Sequence, residues 1–190
     1  MAHRLFIAGG FVTALVASAA CAAEPPALLD GLQRYCVSNN NQIAPILAEA
    51  DADGWQPAAV VSPLLHMSDE GGRTRKDGAM TSVLVVGDAK VPAGETNVDA
   101  SICVVWGNPS DSAATVSAVS SWTKVAPNPG LSNGNMTVFT YVDDQSGRHA
   151  VLDQRDAAEG NRLLATGNLR IVFVATEPGR TLIGYAIPKL

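Results

Sequence analysis

Three cysteines stand in this chain, and the setting of the first decides what the other two can do. Cys21 closes a stretch unlike the rest: His3 and Arg4 give a short basic start, residues 5–16 are almost wholly apolar, and small residues run on to Ala23. Glu24, Pro25 and Pro26 then begin a polar, turn-prone segment. Basic, apolar and small-residue regions in that order are the layout of a secretory signal peptide, and the apolar run is too short to span a bilayer. The expectation is a signal peptide over residues 1–23 and a single domain over 24–190. Cleavage fits before Ala23 or before Glu24. An alternative makes Cys21 a lipid-anchored N-terminus, although Ser18 stands where lipoprotein signals usually carry leucine. The expected location is periplasmic or secreted, with a lipoprotein anchored through Cys21 as the alternative.

Export leaves Cys36 and Cys103. In an oxidising compartment an even count reads as a disulfide, whose long loop would contribute roughly 4 kcal/mol in the chain-entropy model. The competing reading is two separately buried thiols. Neither cysteine sits in a C-x-x-C pair, so thioredoxin-like chemistry has no support.

All acidic residues lie beyond the leader and Arg4 lies within it, so the mature domain is one unit more negative than the net −5 of the whole chain. That balance makes nucleic acid and anionic lipid poor partners. The basic run Arg73, Thr74, Arg75, Lys76 sits among Asp69, Glu70 and Asp77 and reads as part of an exposed loop over residues 68–78.

Leu28, Leu29, Leu32, Tyr35 and Cys36 recur at helical spacing. Residues 38–41, Ser-Asn-Asn-Asn, offer caps to a second helix with Ile43, Ile46, Leu47 and Ala50 on one face, which Gly54 would end in a left-handed conformation. Strands are expected over 81–86 and 101–106, then a helix capped by Ser110 or Asp111 with Ala113, Val116, Val119 and Trp122 as its buried stripe. Two hairpins follow, 137–142 with 148–154, and 169–175 with 181–187. The pattern implies an α+β fold: N-terminal helices plus a mainly antiparallel sheet with one further helix.

Cys36, an Asn-rich turn, an alanine-rich helix, Gly54-Trp55 and the later strand Ile102-Cys103-Val104-Val105 together resemble small exported proteins and lipoproteins of proteobacteria, mostly uncharacterised. The resemblance covers residues 32–124. It implies export, one domain and the paired cysteines, and carries over no catalytic residue.

Candidates for chemistry are few. His66 and His149 are the histidines of the mature chain, too few for a His-rich metal site. A mixed site from His149, Asp143, Asp144 and Asp153 competes with a solvated turn, and Asp51, Asp53 and Gly54 lack the rest of a calcium loop. No G-x-S-x-G elbow surrounds any serine, and Ser62, His66 and Asp69 read equally as loop polarity. No metal or cofactor is expected. Trp122 reads as core, whereas Trp55 and Trp106, at element ends, are the expected pocket or interface residues. The functional expectation is a non-catalytic binding or accessory domain of the cell envelope, its partner an envelope protein or a small molecule. The alternative is a periplasmic hydrolase with His66 or His149 as general base.

Overall fold

The computed structural model describes residues 27–59, 71–78, 80–93, 96–108, 111–151 and 162–189. Helix α1 (Ala27–Gly31) runs on as a π-helical segment (Leu32–Val37), followed by α2 (Ile43–Ala52), β1 (Gln56–Pro57), β2 (Gly72–Asp77), β3 (Met80–Ala93) and β4 (Thr96–Asn108). Then come α3 (Ser112–Thr123), β5 (Met136–Asp144), β6 (Gly147–Ala150), β7 (Leu169–Glu177) and β8 (Arg180–Pro188). The strands form one eight-stranded sheet in the order β1-β2-β3-β4-β8-β7-β5-β6, with every pairing antiparallel. The α+β class read from the sequence is the class observed.

The helices lie on one face. The π-helical segment packs on β4 and β8, α3 packs on β7, and α1 touches α3. Leu28, Leu29, Leu32, Tyr35 and Cys36 are all buried, as their spacing implies. They meet Leu84, Val86, Val105, Phe139, Val172 and Ile183 from alternate positions of five strands. The opposite sheet face is apolar as well, with Val85, Ile102, Val104, Trp106, Leu182 and Ala186 buried in a second cluster. Antiparallel sheets usually leave one face to water, so apolar residues at both parities of β4 and β8 mark them as the centre of this one.

Cys36 and Cys103 form a disulfide with a Cα–Cα distance of 5.5 Å, joining the helical layer to central strand β4. Disulfides persist in oxidising surroundings, so the bond points to a non-cytoplasmic compartment. Among the described residues no helix is long and apolar enough to cross a membrane.

Three local expectations change. The loop expected over 68–78 holds strand β2 at 72–77, where Arg73 pairs with Leu84 and Arg75 with Ser82; its charged side chains hide a strand from any hydropathy pattern. The Asn-rich turn does not cap α2 through its side chains: Gln42 is the N-cap residue and makes no side-chain cap bond. Asn40 and Asn41 instead take left-handed φ values of 49° and 54°, which asparagine tolerates better than most residues. The buried stripe of α3 is Thr115, Val119 and Thr123. Both threonines can be buried because each hydroxyl donates to the carbonyl four residues back, Thr115 to Asp111 at 2.7 Å and Thr123 to Val119 at 2.8 Å. Asp111 is the cap, accepting from the amides of Ala113 and Ala114. Gly54 does end α2 at a φ of 81°. The leader, Cys21 and residues 152–154 of the expected return strand lie outside the described residues.

Candidate functional site

Trp55 sits where the chain leaves α2. Its amide bonds back to the Ala50 carbonyl, and its indole N–H donates to the Tyr35 hydroxyl at 3.0 Å. Tyr35 donates in turn to Asp53 at 2.6 Å, which Arg34 also engages. The Tyr35 and Trp55 rings meet edge to face at 5.4 Å, and the Arg75 guanidinium lies 5.1 Å over the indole. Burial is the main reason the Tyr35 phenol is pushed up, with its bond to Asp53 next. Trp106 belongs to the cluster on the other sheet face, beneath the Arg180 guanidinium at 4.9 Å. Both tryptophans are buried and they lie on opposite faces, so the fold does not bring them into one pocket.

His66, Ser62, Asp69 and Asp153 lie outside the described residues. His149 is exposed beside the β5–β6 turn. The Ser146 hydroxyl stands 2.8 Å from His149 Nε2 and donates to Asp144 Oδ1 at 2.6 Å. A serine hydroxyl has one hydrogen. With that hydrogen given to Asp144, the serine does not also donate to Nε2, so the pair is not set up as a nucleophile and its base. Bonds from the Ser146 hydroxyl and then its amide hold the Asp144 carboxyl below the usual range. Asp143 pairs with Arg148 instead of turning to His149. Among the described residues no group of three or more His, Cys, Asp or Glu could hold a metal ion.

A cluster that sequence reasoning missed lies on the helix side, where the Trp122 end of α3 meets β6 and β7. Strand pairing sets Arg148 opposite Asp143 and Arg170 opposite Tyr141. Tyr185, on β8, shares the neighbourhood: its phenol is pushed up chiefly by burial and is influenced by Arg170, Asp143 and Arg148. Tyr141 is pushed up further, again first by burial, and feels Tyr185, Arg148, Asp143 and Arg170. Arg148 lies over two rings, 5.0 Å from the Trp122 centroid and 5.4 Å from that of Tyr141. Its Nε donates to Asp143 at 3.2 Å and its Nη1 to the Trp122 carbonyl at 3.1 Å. Arg170 Nη1 donates to the Gly167 and Leu169 carbonyls.

The floor of this cluster is buried, with Tyr141 at 1% and Tyr185 at 4% exposure, while the Arg148 side chain is 28% exposed. Trp122, expected as core, is half-buried at the rim. The signal for the cluster was present in the sequence as alternation: Tyr141 with Asp143, and Tyr185 with Ile187, fall on the same face as the core residues before them. No family model, curated protein or solved structure matches this chain.

Proposed function

We propose that the protein is exported to the cell envelope, in the manner of the small proteobacterial proteins it resembles, and works there as a non-catalytic binding domain. The observation that carries the binding part is the Arg148–Trp122–Tyr141–Arg170–Tyr185 cluster. It sets guanidinium donors beside the partly exposed Trp122 ring and over buried tyrosines, the mix of polar donors and aromatic surface from which small-ligand sites are built. The Cys36–Cys103 disulfide supports the compartment, since such bonds persist outside the reducing cytosol. The Ser146 hydrogen committed to Asp144 weighs against a hydrolase that pairs Ser146 with His149.

Native mass spectrometry of the protein purified from an exporting host tests this reading. The expected result is a bound small molecule that is lost on denaturation and lost again when Arg148 is replaced by alanine. Hydrolysis of ester or peptide substrates that vanishes in the His149→Ala or His66→Ala variant would replace the binding reading with the enzymatic one.

A further inference from the structure

We infer that the Arg148–Arg170 end of the helix-side face binds a small monocarboxylate carried on an apolar or aromatic body. This rests on the reading of the cluster as a binding site and names the ligand chemistry.

The charge count comes first. Among the described residues, two guanidinium groups and one carboxylate, Asp143, surround Tyr185, within a chain of net charge −5. The local surplus among the described residues is positive where the whole molecule is negative. Preorganisation comes second. Cation–π contacts with Trp122 and Tyr141 and bonds from Nε and Nη1 fix the Arg148 fork, while its Nη2 makes no hydrogen bond among the described residues. An arginine held in this way keeps a donor ready at little further entropic cost, and arginine is the side chain whose geometry matches a carboxylate. The phenols come third. Tyr141 closes the floor, and the Tyr185 phenol, pushed up chiefly by burial, stays an O–H group beside Arg170.

Two features narrow the ligand. Asp143, bonded to Arg148 and 43% exposed, repels a second negative charge, which disfavours phosphate dianions. Trp122 and Ile187 are both partly buried against the core and supply the cluster's apolar side. An aromatic or branched body fits there better than a bare inorganic ion.

The test is a titration of the oxidised protein with sodium benzoate, benzyl alcohol and inorganic phosphate, followed through the indole N–H resonances, with Trp122 assigned by the Trp122→Phe variant. Benzoate is expected to bind saturably in the roughly millimolar range or tighter and to move the Trp122 signal. Benzyl alcohol and phosphate should bind at least about tenfold more weakly, because the first lacks the charge-assisted bonds and the second carries extra charge. Arg170→Gln should weaken benzoate by about tenfold. Tyr185→Phe, which removes one hydroxyl and keeps the ring, should weaken it by about fivefold. If Arg170→Gln does not fold, Tyr185→Phe carries the comparison.

The inference is overturned if benzoate shows no saturable shift, if phosphate binds as well as benzoate, or if the folded variants bind benzoate like the parent. A ligand retained in the native spectrum while benzoate fails would sink the carboxylate assignment and leave the binding-domain reading standing. A bare native spectrum together with saturable, variant-sensitive benzoate binding would support the site and put in doubt only that the ligand survives purification.

Discussion

Asn41 offers the sharpest energetic test of how the helices are fastened to the sheet. Its amide nitrogen donates to the Ser101 carbonyl at 2.9 Å and the Tyr185 carbonyl at 2.8 Å, bridging β4 and β8 beside the disulfide. The Ser101 hydroxyl returns a bond to the Asn41 carbonyl at 3.0 Å. Asn41 is 2% exposed, and its Oδ1 has no partner among the described residues. Replacing it with alanine removes two bonds worth about 1 kcal/mol each, and relieves the unpartnered oxygen, which returns about 1 kcal/mol. It also leaves an alanine at a φ of 54°, at a cost of about 1 kcal/mol. The net loss is about 2 kcal/mol, or roughly 1 M in the urea midpoint for a typical slope. Asn41→Gly removes the same bonds without the left-handed strain, so it should lose about 1 kcal/mol less than alanine. Asn41→Asp keeps the shape but sets a carboxylate against two carbonyl oxygens, and should be the worst of the three at neutral pH. Equilibrium urea unfolding with the disulfide intact measures all three. An alanine variant within about 0.5 kcal/mol of the parent, or a glycine variant no better than alanine, would refute the reasoning.

Other perturbations probe other parts of the fold. The disulfide closes a sequence separation of 67 residues, so the paired Cys36→Ser and Cys103→Ser variant should lose about 4 kcal/mol by chain entropy; a loss under about 1 kcal/mol in urea unfolding would mean the denatured chain gains little freedom. Tyr35, Tyr141 and Tyr185 all have phenols pushed above their ordinary value by burial, so the folded state holds these protons more tightly than the unfolded chain. Their contribution is fully present below about pH 10 and is lost as pH rises through the folded values, at up to about 1.4 kcal/mol per pH unit for each tyrosine. Urea midpoints measured from pH 8 to 11 should hold and then fall, and a flat profile would contradict the burial of these rings. Gly71 approaches the Val86 carbonyl so closely that an added Cβ would overlap its oxygen. Gly71→Ala should therefore cost about 2 to 3 kcal/mol by displacing the start of β2 from β3, and thermal unfolding like the parent's would show that the edge adjusts freely.

Much of the frame was legible because its signals are local. The spacing from Leu28 to Cys36, Gly54 closing α2, and the two C-terminal hairpins each declare themselves within about twenty residues. Strand β2 did not, because Arg73, Arg75 and Lys76 are exposed or half-exposed near an edge and their strand character comes from pairing with β3. Nor did the central place of β8 between β4 and β7, since nothing local tells a strand which partners it will take. Thr115 and Thr123 do not stand out in the α3 stripe because their burial depends on hydroxyl bonds that hydropathy does not count. The arginine–tyrosine cluster stayed hidden for the same long-range reason. It draws on α3, β5, β6, β7 and β8, and only the register that sets Tyr141 beside Arg170 brings those residues together. Trp55 and Trp106 stood out as rare large residues at element ends, yet each is buried against its own side of the sheet.

The most direct test of the central claim, an exported and disulfide-fastened binding domain, is the intact mass of the protein recovered from the envelope fraction of an exporting host, measured with and without reductant. The account predicts a chain beginning at Ala23 or Glu24 that gains two hydrogens on reduction. A chain retaining its first residues in the cytosolic fraction, with Cys36 and Cys103 already as thiols, would contradict it.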